Sequence, residues 1–98
     1  MPTVFKASNE VETSQAGGRA VLYNRETGGA TILNPTGSLL WARLTECRTA
    51  DQLAAHLVEQ HPGLEPAVGM RDTDAFLAQM VKAGLVVSEE TSATPPHA

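Results

Sequence analysis

Ninety-eight residues, 42% apolar and 18% charged, make one domain with a modest core and too little chain for two lobes around a catalytic cleft. Seven Lys and Arg against eleven Asp and Glu give a formal charge of −4, the wrong sign for a nucleic-acid binder that works by neutralising phosphates. No apolar run approaches the roughly 20 residues of a membrane span, the opening Met1-Pro2-Thr3-Val4-Phe5-Lys6 lacks the pattern of a signal peptide, and a single cysteine fits a reducing cytoplasm.

Residues 1–18 are polar apart from Val4, Phe5 and Val11 and read as an N-terminal arm, with Val4-Phe5 as a short first strand. Residues 19–33 predict a β-hairpin. Ala20-Val21-Leu22-Tyr23 and Ala30-Thr31-Ile32-Leu33 are short, β-branched and aromatic, and Asn24-Arg25-Glu26-Thr27-Gly28-Gly29 between them has turn chemistry. From residue 34 the apolar period becomes helical. Asn34-Pro35 is an N-cap followed by proline at the first helical position, and Leu39, Leu40, Trp41 and Leu44 form one stripe. Thr49-Ala50-Asp51-Gln52 is a capping box for a second helix that buries Leu53, Ala54, Leu57 and Val58, and His61-Pro62-Gly63 stops it.

Asp72-Thr73-Asp74 is expected to open a third helix, with acid at its positive end. Phe76, Leu77, Met80 and Val81 give the stripe of that helix, and Gly84 suits a left-handed C-cap. Leu85-Val86-Val87 should pack back on the core, and residues 88–98, including His97, read as a disordered tail. The fold class is α+β of winged helix-turn-helix type: a small N-terminal antiparallel sheet followed by a three-helix bundle.

Catalytic chemistry finds little support. Cys47, between Glu46 and Arg48, lacks an evident His base and is better read as a half-buried residue in an inter-helix turn. His56 and His61 are five apart and do not share a helix face as metal ligands at i, i+4 would, so no metal and no cofactor is expected. Asp72 and Asp74 are better explained as cap and dipole partners than as an acid/base pair, and Trp41 as a core anchor. Gly28-Gly29 has neither the following helix nor the Lys of a phosphate loop. No catalytic residues are assigned.

Taken together, residues 19–87 resemble the PqqD family, also called RiPP recognition elements. The resemblance lies in Ala20-Val21-Leu22-Tyr23 and its hairpin, Leu33-Asn34-Pro35-Thr36-Gly37 with Trp41 a turn later, and Cys47-Arg48-Thr49 leading into a helix with Leu53 and Leu57. It continues in Asp72-Thr73-Asp74-Ala75-Phe76-Leu77-Ala78-Gln79-Met80-Val81-Lys82-Ala83-Gly84-Leu85-Val86, similar to the last helix of the family. The chain departs from the pattern at Glu46-Cys47, where an acidic-Gly pair is usual, and at Thr73, where Val is expected.

The resemblance implies a peptide-binding chaperone. Such a domain captures the leader of a ribosomally made precursor peptide by β-strand addition and presents it to a partner maturase. That partner is a radical SAM enzyme in pyrroloquinoline quinone (PQQ) biosynthesis and a leader peptidase in lasso peptide biosynthesis. An edge strand formed by Ala30, Thr31, Ile32 and Leu33 would pair with the leader, and Leu77, Met80 and Val81 of the third helix would form the other wall. Arg25, Arg71 and Lys82 are candidates for acidic leader residues. An open edge can equally pair with its own copy, which makes a homodimer the other expected assembly. The competing readings are a winged-helix DNA-binding module, disfavoured by the acidic charge, and a generic protein–protein adaptor.

Overall fold

A computed structural model describes residues 3–90, which form six strands and three helices. Strand β1 (Thr3–Ala7) lies at the centre of one antiparallel sheet, between the two-residue β5 (Arg48–Thr49) and β6 (Val86–Glu90). Strands β2 (Val11–Ala16), β3 (Arg19–Asn24) and β4 (Ala30–Ile32) form a second sheet in chain order. The helices are α1 (Pro35–Trp41), α2 (Ala50–Gln60) and α3 (Pro66–Lys82).

Local chemistry explains the helix ends. The Asn34 side chain accepts a hydrogen bond from the Gly37 N–H at 2.6 Å, with Pro35 at the first helical position. Around α2 the capping box closes in both directions. The Gln52 N–H donates to the Thr49 hydroxyl at 3.1 Å, and the Thr49 N–H donates to the Gln52 side chain at 2.9 Å. At the end of α3, Gly84 takes φ 77°, which lets its N–H reach the Val81 carbonyl and the Leu85 N–H reach the Met80 carbonyl. These two bonds are the Schellman pattern, which satisfies carbonyls that a helix end otherwise leaves open.

The core is continuous between the sheets and helices. Leu22, Leu40, Leu44, Leu53 and Leu57 are at most 1% exposed, and Trp41, Leu77, Met80, Leu85 and Val86 close around them. Gly69 lets α2 and α3 approach closely: a Cβ there would lie 2.9 Å from Val58 Cγ2. Ser38 of α1 accepts from the Ala20 N–H at 2.9 Å and so fixes the helix against the start of β3.

The fold is α+β with three helices, and it carries more β-structure than the sequence suggests. The polar stretch expected to be an arm contains β1 and β2, and Ser88–Glu90, expected in the tail, continue β6 against β1. Residues 91–98 lie outside the described residues. The third helix begins at Pro66, not at Asp72, so Asp72 and Asp74 lie inside it and cap nothing; the residue at its cap position is Glu65. Cys47 is exposed rather than half-buried, because the turn that carries it runs over the surface.

Candidate functional site

The β3–β4 hairpin pairs Val21 with Ile32, Leu22 with Thr31 and Tyr23 with Ala30. Its hydrogen bonds set which side of β4 is open. The Leu33 N–H donates to the Ala20 carbonyl and the Asn24 N–H to the Gly29 carbonyl, both at 2.9 Å. Antiparallel ladders alternate, so Thr31 and Leu33 turn their backbone groups toward β3, while Ala30 and Ile32 turn theirs outward. Strand β4 ends the sheet, and the outward N–H and C=O groups of Ala30 and Ile32 have no partner among the described residues.

Other edges are differently equipped. Edge strand β2 carries Glu12 and edge strand β6 carries exposed Glu89, charges of the kind that discourage pairing with another chain. Ala30-Thr31-Ile32 carries neither charge nor proline.

One flank of α3 approaches the hairpin near Leu33, which follows β4. Gly37 stands between them: a Cβ at that position would lie 3.3 Å from Phe76 Cε1 and 3.5 Å from Leu33 Cβ. At the far end of the hairpin, the Asn24 amide lies 3.9 Å from the corresponding position of Gly84. Helical periodicity puts Gln79 and Ala83 on the same flank as Phe76. Phe76, Gln79 and Ala83 are therefore the candidate wall for a guest on the open edge.

The helix residues expected to meet a guest peptide stand in different surroundings. Leu77 is 2% and Met80 6% exposed, so both are core residues. Val81 is partly exposed, but it lines a groove of about 340 Å³ with Thr3, Phe5, Asp74, Ala78 and Ser88, on the flank facing β1 and β6. Arg71 and Lys82 are exposed. Arg25 is held internally, donating to Glu12 at 3.2 Å and to the Asn9 carbonyl at 2.7 Å. On β4, Ala30 and Ile32 are exposed and Thr31 is half-buried, and Leu33, the next residue, is buried. Phe76 belongs to the stripe read from the sequence, but a helical stripe cannot reveal which of its borders faces a distant strand.

Of the residues with reactive side chains, His56 lies 4.0 Å from Glu59 one turn along α2. The Arg48 guanidinium donates to Glu46 at 3.1 Å. Among the described residues, no group of three or more His, Cys, Asp or Glu could hold a metal ion. No helix among them is long and apolar enough to cross a membrane.

Residues 19–86 match the family of Coenzyme PQQ synthesis protein D (PqqD). The chain belongs to the PqqD family. The match runs from the first residue of β3 to the first of β6, so it contains the hairpin, all three helices and the whole of the edge and wall described above. No curated protein matches the sequence significantly. Two solved structures share the PqqD-type fold. TbiB1 in complex with the TbiA(beta) leader peptide superposes with a TM-score of 0.76 at 22% identity, covering 89% of this chain and 98% of that one. A lasso peptide synthetase B1 complexed with the leader peptide gives 0.73 at 22% identity, covering 85% and 96%.

Proposed function

We propose that this PqqD-family chain binds the leader segment of a ribosomally synthesised precursor peptide as an added strand on β4, and presents it to a separate modifying enzyme. The observation that carries this reading is the outward pair of backbone donors and acceptors at Ala30 and Ile32, on an uncharged edge beside Phe76. An extended guest would satisfy four backbone groups there and set alternate side chains against the α3 flank. Both solved relatives hold leader peptides, which supports the same role here.

In this role the chain is a binding partner and not a catalyst, and the chemistry belongs to the maturase, a radical SAM enzyme or a leader peptidase. A DNA-binding role is disfavoured by the charge of −4 and by the exposed Asp72 and Asp74 on α3.

The test is calorimetric titration of the full chain with a synthetic leader from any short precursor peptide encoded beside it. The expected result is 1:1 binding with a dissociation constant of about 1 μM or somewhat tighter and a negative heat-capacity change from apolar burial. A folded chain that binds no such leader would refute the proposal.

A further inference from the structure

The outer face of the β2–β3–β4 sheet carries an apolar strip that neither the core nor the α3 wall uses. Ile32 is 64% and Tyr23 45% exposed, the largest exposures among the bulky hydrophobic residues of the two strands that carry the strip. Cross-strand partners share a face, so Val21 and Ile32 form one row and Tyr23 and Ala30 the next. Beyond β3 the strip stops: the β2 residues opposite Tyr23 and Val21 are Glu12 and Ser14. The apolar surface therefore reaches the open edge at β4 and is closed off by polar residues on the other side.

Resting on strand addition at β4, we infer that this strip is a specificity shelf for two guest side chains, two residues apart. Guest residues opposite Ala30 and Ile32 project onto this outer face, because residues directly opposite each other on paired strands share a face of the sheet. The residue opposite Ile32 packs against its exposed side chain, and any apolar residue suffices. The residue opposite Ala30 meets a different shape. Ala30 has only a methyl group, with Tyr23 standing behind it on β3 and Ile32 beside it on β4. Neighbouring strands are roughly 4.8 Å apart, so a guest strand lies about 10 Å from β3. Only a long apolar or aromatic side chain crosses the low point above Ala30 and reaches the Tyr23 ring. The guest is thus a leader segment of the form large apolar or aromatic, any residue, apolar, in whichever chain direction the strand runs.

The experiment uses the full chain and a synthetic leader from any short precursor peptide encoded beside it, with single-alanine versions of that leader. Tyr23→Ser, Ile32→Ser and Ala30→Leu alter only exposed side chains, and thermal melts check that each variant folds as the wild type does. Each is expected to weaken leader binding about tenfold or more. In the alanine scan, two sensitive leader positions two residues apart are expected, and the loss at one of them should largely vanish in Tyr23→Ser. If the wild type binds and Ile32→Pro abolishes binding, while the three side-chain variants bind within twofold of wild type, strand addition stands and the shelf is wrong. If the folded wild type binds no leader, the shelf falls together with strand addition. Sedimentation of the peptide-free chain as a dimer that Ile32→Ser dissociates would assign the strip to a second copy and overturn the inference.

Discussion

The Trp41 indole N–H donates to the Thr13 hydroxyl at 2.9 Å, joining the last residue of α1 to the middle of β2. The bond ties a segment with almost no apolar residues to the core, since Trp41 is 6% exposed. Thr13→Val keeps the shape and the β-branching but removes the acceptor. It is expected to lower stability by about 1 kcal/mol, roughly 4–8 °C in melting temperature. Trp41 is the only tryptophan, so its emission reports the change directly. An unchanged melt and spectrum would show that the bond contributes nothing.

Ile32→Pro should separate recognition from folding. The Ile32 N–H faces the open side of β4, where proline is tolerated by an edge strand because no ladder bond of the fold is lost. Circular dichroism is expected to stay as in the wild type while leader binding disappears in calorimetry. Undiminished binding by the folded variant would place the guest elsewhere.

Gly69→Val tests the closeness of α2 and α3. The added side chain begins 2.9 Å from Val58 Cγ2, and Leu64 Cδ2 is 3.4 Å away on another side, so the helices must move apart. Overpacking of this kind costs about 1–3 kcal/mol, more than the gain in helix propensity over glycine, which is below about 1 kcal/mol. Chemical denaturation should show a lower midpoint.

Thr73 is fully buried, and its hydroxyl has no hydrogen-bond partner among the described residues. It also stands where resemblance to the PqqD family leads one to expect Val. Thr73→Val removes the burial penalty of the hydroxyl at nearly constant volume. It should stabilise the chain by about 1 kcal/mol, seen as a higher melting temperature. A lower one would mean that the hydroxyl is satisfied in solution.

Local chemistry made several elements legible in the sequence alone. The Asn34-Pro35 cap, the Thr49/Gln52 box, Gly84 after the last helix and the turn between Tyr23 and Ala30 each depend on residues within a few positions of one another. The order of these elements also carried the family. The start of α3 was hidden by Gly69, a poor helix former in its first turn, whose place is explained only by Val58 on another helix.

Long-range pairing lay beyond sequence reading. Strand β1 is held by Val86–Glu90 from the other end of the described chain, and β2 reads as polar because only one of its residues is even half-buried. The candidate edge was legible as far as Ala30–Leu33, but its opposite wall was not. A stripe of apolar residues on α3 names the face that is buried, and tertiary packing alone decides which border of that stripe lies beside β4. Gly37 leaves Phe76 room at the start of α1, while Leu77 and Met80 fill the core and Val81 faces the other sheet.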